Sequence, residues 1–588
     1  MERYRVILGE RFTLPNKDCL LQFELVNLEN TKKSYRLLKL FEIPVNVDKI
    51  FLNNWQSWGS CDSFPITLDI SKYFENPPSK DFILAFTPEP KIFSNPENLM
   101  SDYFIAYGDT FMGFLKSEVS HNFFVYNKNK KSISVYVDLF GKELEPGEKI
   151  TLEPVIVLKG NELEKLLETY GSLVADENKL NADKEIRVGW CSWYQYFTNI
   201  NYDELKKNVR ILKKLREEKG IPYRFVQIDD GYQKDIGDWL KTNSKFPEGL
   251  NGIVKSIKEA GFIAGIWLAP FSISETSSIF LEHQDWLVKN ENGAPKIAFR
   301  NWEKNIYGLD LSNEEVLNWL KDLFTELKRI GFDYFKIDFL FSGAIPGERK
   351  KKVSPIEAYR TGLKVIREAI GSSFLLGCGA PLLPSVGLVD GMRIGADTSP
   401  NWIEDIVSPF PNAKVALRNV VTRYFMHKRW WNNDPDCLLL RGKDTNLSKS
   451  MRRLYSYVSA ALSNMIIESD DMGNVDEDGL NILKESLKLC DGEPRVFNLQ
   501  TDKKVYVIGV KGLPNGNYIM IANLENEDLE IEIPKSAKQW TGIKSKTIKV
   551  PARDVVIVRD QVRKLKVERI RRKDDNRLVN YYWDGDSK

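Results

Sequence analysis

The run Tyr334-Phe335-Lys336-Ile337-Asp338-Phe339-Leu340-Phe341 is aromatic and aliphatic except for two opposite charges two residues apart. Alternate side chains of a strand share a face, so Lys336 and Asp338 point one way while Phe335, Ile337 and Phe339 point the other. A buried strand must spend such charges on each other or on a ligand, because an unpaired buried charge is very costly. Either the two form a structural ion pair or the strand ends in a site that does chemistry. A nearby cation favours the charged form of a carboxyl group, so Lys336 should hold Asp338 ionised, as a nucleophile requires. Asp397, in Gly395-Ala396-Asp397-Thr398, is the partner candidate. Arg393 lies four residues before it and no cation is adjacent in sequence, so Asp397 is the better group to carry a proton as acid and base.

These residues need a scaffold, and the chain from residue 186 repeats a strand, loop and helix pattern. The strands are expected at Ile186–Trp190, Arg224–Asp229, Phe262–Leu268, Tyr334–Leu340, Phe374–Cys378, Gly391–Gly395, Asp436–Leu440 and Met465–Ser469. Amphipathic helices fall between or after them at 203–218, 250–260, 313–330, 355–370, 412–426, 447–463 and 478–490. Ser312-Asn-Glu-Glu315 reads as a capping box, and Gly220, Gly261 and Gly331 each stop a helix just before a strand. Eight such units fit a (β/α)8 barrel, with an open doubly wound sheet as the alternative; no GxGxxG or Walker sequence supports the latter. Enzymes on this barrel work at the C-terminal strand ends. That is where Trp190-Cys191-Ser192-Trp193, Asp229-Asp230, Trp267, Lys336 with Asp338, Cys378 and Arg393 with Asp397 fall. One pocket accounts for all six strand ends.

The pocket would be rich in carboxylates and Trp and poor in His, the inventory of a glycosidase. Retaining glycosidases need an ionised nucleophile and a protonated acid roughly 5–5.5 Å apart. The paired carboxylates Asp229-Asp230, Asp434-Pro435-Asp436 and Asp470-Asp471 also invite a metal reading. No cation-loop spacing surrounds them, and no metal or cofactor is expected. Asp229 and Asp230 read better as acceptors for sugar hydroxyls, and the other two pairs as groups supporting the rim.

The rest of the chain sets limits. With 588 residues, several domains are expected. Lys and Arg number 84 against 82 Asp and Glu, a net charge of +2 that leaves no electrostatic footprint for nucleic acid or an anionic membrane. The start has no apolar leader-like run and no stretch is long enough to span a bilayer, so a soluble cytoplasmic protein is expected. The six cysteines show no CxxC spacing, and three histidines leave little for a His-based metal centre or triad. Residues 1 to about 160 read as a β-sandwich carrying the turn Asn53-Asn54-Trp55-Gln56-Ser57-Trp58-Gly59. Residues 161–185 read as a linker with a helical segment, 186–492 as the barrel and 493–560 as a small β domain. The tail at 561–588 is basic and then polar, a surface segment or an oligomer contact.

The strings WCSWYQYF, QIDDGYQKDIGDWL, GIWLAPFSISE, YFKIDFLFSGAIPGER, LLGCGAPLLPSVGLVDGMRIGADTSP and YFMHKRWWNNDPDCLLLR, with NNWQSWG near the N-terminus, resemble the α-galactosidases of glycoside hydrolase family 36. The resemblance covers about residues 10 to 500. It implies an N-terminal β-supersandwich, a (β/α)8 barrel and a C-terminal β-sheet domain, and retaining hydrolysis of terminal α-linked galactose without a metal. The family's nucleophile falls on Asp338 and its acid/base on Asp397. Its galactose contacts fall on Asp229, Asp230, Trp190, Trp267, Lys336, Cys378 and Arg393, and its aromatic from the sandwich on Trp58, with Trp55 beside it. Within the same chemistry stand a galactosyltransferase of the raffinose-synthase kind and an α-N-acetylgalactosaminidase. From a different class stands an inactive sugar-binding protein, against which the presence of both carboxylates argues. The expected partner is a small carbohydrate, with a homo-oligomer possible.

Overall fold

The computed structural model describes residues 1–559 except 10–11, 77–78, 181–183, 185, 405–410, 502 and 515, so the tail read at 561–588 lies outside the described residues. The chain begins with two facing sheets. One has the order Glu2–Ile7, Cys19–Val26, Val155–Lys159, Thr110–Phe114, Phe104–Tyr107, Lys49–Leu52 and Asp62–Pro65, with Lys149–Thr151 paired on Cys19–Val26. The other has the order Lys33–Pro44, Ser132–Leu144, His121–Asn127 and Asn98–Asp102. Cys19–Val26 alternates buried and half-buried residues, as a strand with one core face must. Rings cross between the sheets at Phe23 and Phe41, centroids 5.8 Å apart, and at Phe114 and Phe124, 5.5 Å apart.

The segment read as a linker contains a packed helix, Leu163–Glu177. Leu163, Leu167, Tyr170 and Val174 bury one face of it. The Tyr170 hydroxyl donates to the Phe114 carbonyl of the sandwich at 2.7 Å, and the Trp430 indole donates to the Gly171 carbonyl at 3.1 Å. The helix therefore ties the sandwich to the following domain instead of spacing the two.

That domain holds an eight-stranded parallel sheet. Its strands, numbered along the chain, are Val188–Cys191, Phe225–Ile228, Ile263–Leu268, Tyr334–Ile337, Phe374–Gly377, Gly391–Arg393, Asn432–Asp434 and Ile466–Glu468. They lie side by side in the order seven, six, five, four, three, two, one, eight. Just past strand seven, Leu438 bridges to Glu468 of strand eight, so the two ends of the sheet are linked, an arrangement consistent with a (β/α)8 barrel. Apart from the half-buried Ile263, every residue of these strands is buried, which is why strands one to five read as near-continuous apolar runs.

Strand seven departs from expectation. The apolar run Asp436–Leu440 contributes only the Leu438 bridge, and the strand is the polar triplet Asn432-Asn433-Asp434. An apolar pattern misleads here because the two asparagine amides are spent on backbone carbonyls, Asn432 on that of Asp390 and Asn433 on that of Arg423. The helices Tyr202–Lys219, Gly249–Glu259, Glu314–Ile330, Pro355–Ile370, Ala413–Thr422, Lys449–Ser463 and Glu477–Leu487 match the expected periodicity. The cap of Glu314–Ile330 is Asn313, whose side chain accepts the Glu315 N–H; Ser312 instead donates to Asp310. Between strand three and that helix, a small sheet of Ser272–Ser274, Lys304–Gly308 and Ile297–Asn301 is inserted.

At the C-terminal end, Glu493–Val496, Val505–Lys511, Tyr518–Asn523 and Asp554–Arg559 form a four-stranded antiparallel sheet with its own core around Val507, Ile519, Ile521 and Val550. Lys504 reaches the fully buried Asp62 of the sandwich at 2.7 Å, so the first and last domains touch directly.

Candidate active site

Strand four delivers Lys336 and Asp338 to the end of the parallel sheet. The Asp338 Oδ1 accepts the Phe339 N–H at 2.7 Å, and its Oδ2 accepts the Trp267 indole N–H at 3.1 Å. Phe339 turns the chain there in the left-handed region, with φ of 50°, a conformation that costs a non-glycine residue energy and is typical of functional turns. Trp267 is the register partner of Lys336 on the neighbouring strand, so its indole stands on the same face.

The Lys336 ammonium does not pair with Asp338, as their spacing suggests. It lies 3.0 Å from Asp229 Oδ2, on strand two's extension. Burial alone would lower the Lys336 ammonium, but Asp229 above all, with Asp338 at longer range, carries it well above the ordinary lysine value. Asp229 also accepts the Gln227 amide at 2.6 Å and the Asp230 N–H at 2.9 Å, and the Cys191 thiol lies 3.3 Å away. Asp230 accepts the Gln233 amide at 2.6 Å and the Trp302 indole at 2.7 Å. Burial pushes the Asp230 carboxyl up to about 6 against those two hydrogen bonds.

Strand six delivers Arg393, and the cation that sequence adjacency did not supply to Asp397 is this one. A single Arg393 nitrogen lies 2.5 Å from Asp397 Oδ1 and 2.7 Å from Asp436 Oδ2. The Asp397 side chain keeps 33% of its surface exposed, while Arg393 and Asp436 are sealed in. Enclosure by protein raises the Asp397 carboxyl, and the charges of Asp436 and Asp338 add to this, against the opposing pull of Arg393 and Lys336. Cys378, at the end of strand five and fully buried, has its thiol 4.0 Å from the Arg393 guanidinium; burial above all raises it, and the charge of Asp338 adds to this. Groups from strands four, five and six therefore converge on one spot. Among the described residues, no cluster of His, Cys, Asp and Glu is arranged to hold a metal ion.

The sandwich contributes the loop with Trp58. Its ring lies 5.0 Å from that of Phe339 and 6.0 Å from that of Phe341. The loop after strand five fixes it: the Ser57 N–H donates to the Ala380 carbonyl at 3.2 Å and the Leu382 N–H to the Trp55 carbonyl at 3.0 Å. Arg423, fully buried, donates to Asn53 Oδ1 at 2.9 Å, to the Ser57 carbonyl at 2.6 Å and to the Ile394 carbonyl at 2.8 Å. One guanidinium thus joins the Trp58 loop to the strand that leads into Asp397. Trp55 is fully buried and packs edge-on to His121, away from this spot.

Trp190 is not brought to the cluster by any hydrogen bond or ring contact among the described residues. Its indole donates to the Asp470 carbonyl at 2.8 Å and its ring faces Tyr196. Strand geometry gives the reason: Cys191 is the neighbour that reaches Asp229, so Trp190 lies on the opposite face. Trp302, by contrast, stands in the cluster and escaped sequence reasoning. It sits at the tip of the hairpin between Ile297–Asn301 and Lys304–Gly308, near Trp267 and Phe339. Trp302 and Glu303 both have positive φ, 51° and 59°, which a tight hairpin turn demands, usually of Asn or Gly. A turn without either residue gives no sequence signal.

The N-terminal α-galactosidase family model matches residues 29–159 and the melibiase family model residues 152–366. The chain is 27% identical over 248 residues to α-galactosidase AgaA of Geobacillus stearothermophilus, covering 39% of this chain and 32% of that protein. It is 28% identical over 254 residues to α-galactosidase 1 of Pediococcus pentosaceus, covering 40% and 33%. These alignments span about a third of the length of the curated relatives. Among solved structures, an α-galactosidase from Thermus thermophilus in complex with stachyose is 26% identical with a TM-score of 0.64, covering 78% of this chain and 93% of that one. The two family models together span residues 29–366, more than half of the chain, and the chain belongs to the family they define, glycoside hydrolase family 36.

Proposed function

We propose that the protein is a retaining exo-α-galactosidase that removes terminal α-linked galactose from oligosaccharides such as melibiose and raffinose, or from galactomannan side chains. The observation that carries the reading is the unequal treatment of two carboxyl groups in one cluster. Asp338 is held in a single orientation by two N–H donors, whereas Asp397 is raised and in contact with solvent. That is the division of labour a double displacement needs.

In this reading Asp338 attacks the anomeric carbon while Asp397 gives its proton to the departing oxygen. A covalent β-galactosyl-enzyme forms, and Asp397, now a base, takes a proton from the water that releases it. Asp229, Asp230 and Lys336 hold sugar hydroxyls, Cys378 and Arg393 close the wall beside them, and the indoles of Trp58, Trp267 and Trp302 cover the apolar sugar face. The stachyose complex of the Thermus enzyme supports a galactose-terminated oligosaccharide as substrate. The test is hydrolysis of an aryl α-galactoside, melibiose and raffinose, with the first-formed anomer read by NMR. Release of α-galactose agrees; no turnover of any α-galactoside removes the sugar assignment.

A further inference from the structure

The mechanism gives Asp436 no task, and its surroundings are unusual. It stands at φ of 77°, a left-handed conformation that costs an aspartate energy. It is 2% exposed. The strained backbone aims one oxygen, Oδ2, at three donors from three elements: the Arg393 guanidinium at 2.7 Å, the Thr398 N–H at 2.7 Å and the Tyr194 hydroxyl. Thr398 directly follows Asp397, so Asp436 holds both the cation beside the acid and the backbone that carries it.

We propose that Asp436 is a positioning residue for the acid/base step: by sharing Arg393 with Asp397 and anchoring the Thr398 N–H, it keeps Arg393 from acting as a full counter-ion to Asp397. The inference rests on the α-galactosidase reading above. A guanidinium 2.5 Å from a carboxyl group would by itself hold that group ionised, which disables a general acid. Here the same nitrogen is 2.7 Å from a second, sealed carboxylate, whose negative charge opposes that of the guanidinium at Asp397. Arg393 remains available to orient Asp397 while its pull toward the ionised form is offset. The other groups facing the pair do not supply this balance. Asp338 and Lys336 of strand four oppose each other in sign, Tyr194, Tyr455, Cys378 and Cys437 are raised by burial and stay neutral, and Asp434, raised by burial against the pull of Arg393, accepts the Asp436 N–H and makes no ion pair with Arg393 among the described residues.

The test is the pH dependence of kcat for an α-galactoside with a sugar leaving group, measured for wild type and Asp436→Asn. The amide keeps an oxygen for Thr398 and Tyr194 but loses the charge. The expected result is an alkaline limb displaced downward by about one pH unit, hence about tenfold lower kcat above the limb. At the acid end kcat should stay near wild type. A purely structural role would lower kcat evenly at all pH values; that outcome, or an unmoved limb, overturns the proposal. Should Asp436→Asn not accumulate as folded protein, Asp436→Ser removes the same charge and carries the same expectation. A wild type inactive on every α-galactoside would instead remove the functional reading and this inference with it.

Discussion

Replacing Lys336 by Met keeps the length of the side chain and removes its charge. The ammonium is 3.0 Å from Asp229, and both side chains are almost fully buried, at 8% and 4% exposure. At that distance and an effective dielectric of about 20, the direct attraction is about 5 kcal/mol. Much of this offsets desolvation in the wild type, but the variant leaves a sealed carboxylate without its cation, which costs about 3–5 kcal/mol. For a domain of this size the loss corresponds to a fall of roughly 5–15 °C in the unfolding temperature. The pH dependence gives the sharper reading. Lys336 is raised above its unfolded value, so its own contribution is complete at every pH below the lysine range and adds no slope between pH 4 and 8. In the variant, protonation relieves the uncompensated carboxylate, so the gap to wild type should be largest near pH 7.5 and shrink toward pH 4.5. Thermal scans of tryptophan fluorescence at a fixed rate, taken at several pH values for both proteins, measure this. A gap of the same size at every pH, or no gap, would refute the claim that Lys336 compensates Asp229.

Three further outcomes follow from the same geometry. With Asp397 raised to about 6 and required in its protonated form, kcat for sugar leaving groups should fall as pH rises through that region, with a weaker fall for aryl leaving groups that need little proton donation; a pH series on melibiose and a nitrophenyl galactoside decides this. Trp302→Ala removes an indole ring and the N–H that donates to Asp230, so KM should rise about 5- to 30-fold, equivalent to about 1–2 kcal/mol, while the unfolding temperature changes little. Gly379→Ala should displace the Trp58 loop, because a Cβ there would meet the Trp58 ring at 2.7 Å and the Phe339 nitrogen at 3.0 Å, at a backbone φ of +53°; loss of catalytic efficiency with the overall circular dichroism spectrum retained is the expected result.

Much of this architecture was legible because local rules and the global fold agree. Helices such as Glu314–Ile330 carry their apolar stripe, their acidic first turn and their terminal Gly331 in the sequence, and the buried strands announce themselves as apolar runs between them. What was illegible is nonlocal or contrary to pattern. Lys336 stands two residues from Asp338 yet is claimed by Asp229, 107 positions away, because the sheet curls strand two to face strand four. Arg393 looked remote from Asp397 until the turn after strand six folded back between them. Strand seven is polar because its asparagine amides tie neighbouring backbone carbonyls, and Trp302 rides a hairpin turn that has neither Asn nor Gly. Trp190 shows the converse: a motif can mark a strand end while a one-residue alternation sends its most conspicuous side chain to the other face.

The central claim is that Asp338 is the nucleophile of a retaining enzyme. The most direct measurement is turnover of an aryl α-galactoside by wild type and by Asp338→Gly, with azide added to the variant and the product's anomeric configuration determined. The account predicts an active wild type, a variant slowed by several orders of magnitude, and rescue by azide that yields β-galactosyl azide. A variant that turns over like wild type, or an azide product of α configuration, would contradict it.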